Sequence, residues 1–314
     1  MTHVSVLAGG LCPERDVSIR SGRRVAEALR AAGYSVDVRD TDADLLALWE
    51  QDPPDVVVPL LHGAVGEDGS LRDIIETLGL PYVGAAPAGC RLAFDKPIAK
   101  ASLQQAGAAT PDWLALPHSA FRELGAQRIM TAAVARLGLP IVVKPTRGGS
   151  ALGLTIVHSA EELPAAMVAG FAYCPTVLLE AFVSGVELAV SVIDTDEGPR
   201  ALPAVELRSD SGIYDYQARY TAGMTEFFAP ARVSHQAAGA AADLALAAHE
   251  ALGLRDLSRT DMIIDADDSP VFLETNVAPG MTETSLMPQS IAAAGLSLSS
   301  VMSDVVERAV RRSR

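Results

Sequence analysis

The sequence predicts an α/β domain followed by two α+β domains, and three observations carry that expectation. Strand-like and helix-like patterns alternate through the first 95 residues, as βαβ units on a parallel sheet do. The patterning changes after "ATPDW" (109–113), where short apolar runs and a glycine-rich link replace the alternation. The last third carries two strands, "DMIIDA" and "PVFLETN", joined by the turn "ADDSP". The expected domains are 1–95, 96–183 and 184–314. A chain of 314 residues, 49% apolar, can build a large core spread over two or three domains.

Taken in order, "HVSVLAGG" reads as the first strand, a helix follows around Val25 and Leu29, and "SVDVRD" and "DVVVPLLHG" read as further strands. In "DGSLRDIIETLGLPYVG", Leu71, Ile74, Ile75 and Leu78 recur at i, i+3, i+4 and i+7, which is one helix face. Gly79 is expected to end that helix before a strand at Pro81 to Val83. Asp95 is the expected N-cap of the next helix, with Pro97 in its first turn, where a missing N–H is tolerated. "LPIVVKP", "LTIVHS" and "TVLLEAFV" are the central strands and "AEELPAAMVAGF" a helix. Beyond Gly185 come "VELAVSVIDT", "RALPAVELR", a polar loop through Tyr220 and an alanine-rich helix near 235–252. The two acid-bearing strands follow, and a helix near Val301 to Val310 closes the chain.

A formal net charge of −14 repels polyanions, so neither a nucleic-acid nor an anionic-membrane partner is expected, and any phosphate site must be built locally. Cys12, Cys90 and Cys174 are odd in number and in no metal spacing, which fits a reducing compartment, the cytoplasm. "MTHVSVLAGG" lacks a basic region followed by a long apolar one, and no apolar run approaches bilayer length; neither export nor insertion is expected.

Four stretches can carry chemistry. Asp261 and Glu274 sit on strands that a hairpin would lay side by side, and Glu274 and Asn276, two apart, share a face. Two carboxylates about 4 Å apart repel by roughly 4 kcal/mol at an effective dielectric near 20. An all-oxygen cluster of this kind suits Mg²⁺; a solvated hairpin with surface acids is the plainer alternative. "IVVKPTRGGSALG" presents Lys144, Arg147, Gly148, Gly149, Ser150 and Gly153, a lysine and close-approach glycines for phosphate, or else a glycine-rich hairpin alone. It is no Walker A loop, since the lysine precedes the glycines and a strand follows. In "LHGAVGEDGSL", His62 ends a strand where open α/β sheets bind ligands, although a lone histidine is more often structural. "GGLCPERDVSIRSG" places Glu14 before a helix start, as a ligand contact or a capping acid.

Eight segments in order resemble the D-alanine:D-alanine ligase family of the ATP-grasp superfamily. They are "GGLCPERDVSIRSG", "LHGAVGEDGSL", "DK" at 95–96, "VKPTRGGSALG", "LLEAFVSGVE", "YDYQARY", "SRTDMIID" and "ETNVAPGMTETSLMP", and they cover nearly the whole chain. The resemblance implies an ATP-grasp fold with a Rossmann-like N-terminal domain, a small central lid domain and a C-terminal catalytic domain. It also implies a cytoplasmic homodimer that makes D-alanyl-D-alanine for peptidoglycan from ATP and D-alanine. Two Mg²⁺ ions, which Mn²⁺ can replace, are implied at Asp261, Glu274 and Asn276. By position, Lys96 and Lys144 would contact ATP phosphates under a lid containing Ser150, with Arg219 on the mobile loop. Glu180 and the backbone of Ala181, Phe182 and Val183 would hold adenine, and Glu187 the ribose. Glu14 would bind the first D-alanine's ammonium and pair through Ser150 with Tyr220, with His62 near that substrate. Arg259 and the Gly280 N–H would stabilise the oxyanion, and Ser285 and Leu286 would receive the second carboxylate.

Three positions depart from the family pattern: Arg219 for a usual lysine, Ala151 for a frequent second serine, and "NVAPG" for Asn-Thr-x-Pro-Gly. They keep open a paralogue joining other D-amino or hydroxy acids, while Tyr220 favours D-alanine as acceptor. A nucleotide-binding regulator without turnover is a further alternative. A dinucleotide enzyme is disfavoured because "AGGLCPERDVS" has no G-x-G-x-x-G fingerprint.

Overall fold

A computed structural model of the chain describes residues 1–149, 151–209 and 225–312. Three sheets divide the described chain. The first is parallel, with β1 (His3–Leu7) between β2 (Ser35–Arg39) and β3 (Val56–Pro59). All four residues of β3, "VVVP", are buried, as expected for a parallel strand covered on both faces. The second sheet is antiparallel, with β4 (Trp113–Pro117), β7 (Thr176–Ala181), β5 (Ile141–Pro145) and β6 (Thr155–Val157) in that spatial order. The third comprises β8 (Val186–Thr195), β9 (Gly198–Ala201), β10 (Val205–Ser209), β11 (Thr225–Phe228), β12 (Leu257–Ile264) and β13 (Pro270–Asn276). Its order is β11-β10-β8-β12-β13, with β9 also on β8.

The cores show which parts are joined. Val25, Ala26 and Leu29 of the helix Arg15–Ala31 share one apolar cluster with Val301, Met302, Val305 and Val306 of the helix Leu298–Arg312, and with Ile193 and Leu257 of the third sheet. Asp256, fully buried, adds a polar staple: it accepts the Gly84 N–H at 2.7 Å and pairs with Arg312 at 2.6 Å. The central strands enclose a separate cluster around Ile141, Val143, Leu163 and Leu179. Ala99 and Leu103 of the helix Lys96–Gln105 pack instead with Leu188, Met262 and Phe272 of the third sheet. Asp95 caps that helix by accepting the Ile98 N–H, with Pro97 in the first turn.

Three local expectations need correction. The helix Ser70–Thr77 buries Leu71 and Ile75 but leaves Ile74 44% exposed, because so short a helix docks along a single line and Ile74 falls on its flank. The Pro81 to Val83 stretch is no full strand; it makes one parallel bridge, Val57↔Tyr82. "RALPAVELR" is split into β9 and β10 around Pro203, which has no N–H to continue a ladder.

Candidate active site

The ladder between β12 and β13 builds the acidic centre. Asp261 lies opposite Glu274 and Arg259 opposite Asn276, so these four side chains share one face. A register shift follows at once, with Met262 opposite Phe272. It leaves Leu273 as the extra residue of a β-bulge, which turns Phe272 into the core while Leu273 and Glu274 both line the cleft. On the opposite face Thr260 and Thr275 hydrogen-bond at 3.1 Å. Sequence alternation alone reaches Glu274 and Asn276, but not the bulge.

Cations compensate the two acids. Arg259 grips Asp261 with both donors, Nε to Oδ1 at 2.7 Å and Nη2 to Oδ2 at 2.8 Å, a fork-on-carboxylate pair. Lys96 Nζ lies 3.3 Å from Glu274 and donates to the Gly148 carbonyl at 2.6 Å. Asn276 Oδ1 accepts the Ala278 N–H at 2.8 Å. Among the described residues no group of three or more His, Cys, Asp or Glu is placed to hold a metal, so the donor set is two carboxylates and one amide oxygen. That set fits Mg²⁺, which takes one or two carboxylates and fills its shell with water and phosphate oxygens.

The cleft in front of this ladder has a volume of about 1120 Å³ and is lined by strands of the second and third sheets and by segments that follow β1 and β3 of the first. Glu14, Lys96, Lys144, Glu180, Ala181, Phe182, Val183, Glu187, Asp261 and Glu274 all line it. Glu180 and Lys144 of the central sheet form a buried triad with Lys100 of the helix Lys96–Gln105: Glu180 lies 2.5 Å from Lys100 and 2.6 Å from Lys144. Burial pushes the Glu180 carboxyl up, but the two lysines outweigh it and hold it below the usual range. At Lys100 burial wins and lowers the ammonium to about 8; at Lys144 the carboxylates Glu180, Glu274 and Glu187 win and raise it. Glu180 is therefore engaged with lysines rather than presented freely to a base. The N–H groups of Ala181 and Phe182 are also committed, to the carbonyls of Asp112 and Pro140. An adenine contact expected from 181–183 would therefore have to use their other backbone groups.

The parallel sheet contributes the other wall. Glu14 is 8% exposed and precedes the helix Arg15–Ala31 without a side-chain cap bond, which disfavours the capping-acid alternative. His62 is buried, and burial lowers its imidazole to about 4; Glu14 and the Ala278 backbone pull it up and Arg259 pushes it down. These neighbours connect His62 to the ladder. Glu67 accepts the Gly63 N–H at 3.0 Å, and burial raises its carboxyl to about 7. Gly280, Ser285 and Leu286 lie outside the cleft lining. They form a turn in which Ser285 Oγ accepts the Thr282 N–H at 3.0 Å and Ser285 leads the helix Leu286–Ala293. That helix start offers N–H donors suited to a carboxylate. Ser150, Arg219 and Tyr220 lie outside the described residues.

Sequence reading missed Lys100 and Glu67. The signals were present: Lys96 and Lys100 are four apart on one helix, and Glu67 follows His62 by five in the same loop. Of the departures, Val277 packs in the apolar core and not toward the cleft. Ala151 lines the cleft with a positive φ of 57°.

Two antiparallel sheets closing on a cleft that carries buried lysine–carboxylate pairs are the arrangement of an ATP-grasp protein. The family model described as "D-ala D-ala ligase C-terminus" matches residues 102–307. A D-alanine–D-alanine ligase of Desulforudis audaxviator (strain MP104C) is 39% identical over 310 residues, covering 98% of this chain and 97% of the relative. One from Bordetella petrii is 38% identical over 306 residues, covering 98% and 91%. Among solved structures, the Bacillus anthracis D-alanine–D-alanine ligase complexed with ATP matches with a TM-score of 0.84 at 27% identity, covering 100% of this chain and 99% of that one. The VanG D-Ala:D-Ser ligase of Enterococcus faecalis also gives 0.84 at 27% identity, covering 98% and 99%. The chain belongs to the D-alanine–D-alanine ligase family.

Proposed function

We propose that this protein joins two D-alanines into D-alanyl-D-alanine at the expense of ATP, through an acyl phosphate, to supply peptidoglycan precursors. The observation that carries the reading is the four-residue face Arg259, Asp261, Glu274 and Asn276 beside Lys96 at a cleft large enough for ATP. A free carboxylate is a poor acyl donor, so phosphorylation of the first D-alanine must come before attack by the second amine. Mg²⁺, held by Asp261, Glu274 and Asn276, would neutralise phosphate charge. Lys96 and Lys144 hold phosphate oxygens, and Glu14 holds the first ammonium with His62 beside it. Arg259 and the Gly280 N–H meet the developing oxyanion. Ser150, Arg219 and Tyr220 belong to the same reading, as groups that would keep water from the acyl phosphate. Glu187 takes the ribose, and Ser285 with Leu286 the second carboxylate.

Domain boundaries near 95 and 183, two Mg²⁺ ions replaceable by Mn²⁺, a cytoplasmic location and a homodimer belong to the same reading. Three free cysteines and the lack, among the described residues, of a helix long and apolar enough to cross a membrane are compatible with it. The likeness to a D-Ala:D-Ser ligase supports a second reading in which the acceptor differs. ADP and phosphate release should be measured with D-alanine alone and with D-alanine plus D-serine, D-lactate or L-amino acids. Fastest turnover with D-alanine alone is expected. Preference for a mixed pair would replace the acceptor, and no release with any acceptor would leave a nucleotide-binding protein.

A further inference from the structure

Glu67 is buried in the wall between the parallel sheet and the cleft, and the reaction above gives it no task. It ends the short helix Gly63–Glu67 and is 5% exposed, with Oε1 accepting the Gly63 N–H at 3.0 Å. Its carboxyl also lies against the glycine-rich link of the central domain. A β-carbon at Gly149 would stand 3.1 Å from Oε2 and 3.2 Å from Oε1. Gly149 does not have a left-handed φ, so a side chain there would meet tight space beside the Glu67 carboxylate, which would have to give by a few tenths of an ångström, rather than backbone strain. On the other side, Lys96 Nζ donates to the Gly148 carbonyl at 2.6 Å and Arg147 pairs with Asp95 at 2.9 Å. The link is thus gripped from two directions.

We propose that Glu67 is a positioning residue that seats the Gly148–Gly149 backbone beside the nucleotide from the N-terminal domain, opposite the grip of Lys96. The inference rests on reading the cleft as the ATP site. A link seated from one side only would leave the phosphates open to water, so the loss should appear both in nucleotide affinity and in coupling.

The test is a double-mutant cycle on the full chain, using adenylyl imidodiphosphate with Mg²⁺ as probe and circular dichroism to check folding. Gly149→Ala should weaken binding by about tenfold when Glu67 is present, since the added methyl displaces the link, and have little further effect in Glu67→Ala. Glu67→Ala alone should release more than one phosphate per dipeptide formed. Glu67→Asp, which withdraws the oxygens by one methylene, completes the same cycle if the alanine variant does not fold. Equal losses from Gly149→Ala in both backgrounds, or a folded Glu67→Ala with unchanged affinity and unchanged phosphate-to-dipeptide ratio, would overturn the proposal alone. An unmodified protein that does not bind the probe would sink the reading of the cleft and this proposal with it.

Discussion

Two ion-pair clusters face the same cleft and differ in how closed they are. In the central sheet, Glu180 sits between Lys100 and Lys144 with side-chain exposures of 3%, 0% and 9%. In the C-terminal ladder, Glu274 is 18% exposed and pairs with Lys96 at a looser 3.3 Å, while Arg259 holds Asp261. The first is a sealed network in which each charge depends on the others to offset desolvation. The second is looser and partly open to solvent; on the proposed reading, Mg²⁺ held by Asp261 and Glu274 would leave Lys96 and Arg259 available to phosphate and oxyanion. The same reading would give the cations that offset these acids a second task in the chemistry.

Glu274→Gln breaks the comparison most sharply. On the proposed reading it removes a charge that would hold Mg²⁺ from a partly exposed site, so turnover should fall on the order of a thousandfold while unfolding in urea shifts by less than about 1 kcal/mol. Near-normal turnover would refute the metal assignment. Glu180→Gln should do the opposite at the level of folding, costing about 3 to 5 kcal/mol in the same titration because two buried ammoniums lose their counter-charge. A loss as small as that of Glu274→Gln would show that the network is not sealed.

Acid titration sharpens the difference between groups on the third wall. Glu67 rises from 4.5 to about 7, so the folded state holds the extra proton and stability falls as pH climbs through that window. His62 drops from 6.5 to about 4, so the unfolded state holds the extra proton and stability rises between those values. The two oppose each other over their shared range. Glu67→Gln should therefore uncover a stability that climbs by about 3 kcal/mol from pH 4 to 6.5, read from melting at each pH. A flat profile in that variant would mean that His62 is not kept neutral by burial. The smallest expected effect is at Asp95: replacement by Ala should cost about 1 kcal/mol of thermal stability through the lost cap.

Much of this site was legible along the chain, and the reasons can be stated residue by residue. The pairing of Asp261 with Glu274 followed from two strands and a short turn, because hairpin register is local. The cap at Asp95 and the end of the short helix at Gly79 followed from single-residue chemistry. The exposure of Ile74 did not, because periodicity shows which residues share a helix face but not how far the partner surface extends over it. Lys100 carried no expectation at all, because its partner Glu180, 2.5 Å away, lies eighty positions later in the chain.

By itself, then, the sequence determined the alternation of elements, the caps, the acid-bearing hairpin and the family, all of which depend on neighbours within a few residues or on ordered motifs. Tertiary structure alone decided that Lys100 and Lys144 share one carboxylate, that a bulge aims Leu273 and Glu274 together into the cleft, and that Glu67 reaches Gly149. The physical reason is that burial and Coulomb interaction depend on distance in space, and elements remote in the chain set those distances only when they pack.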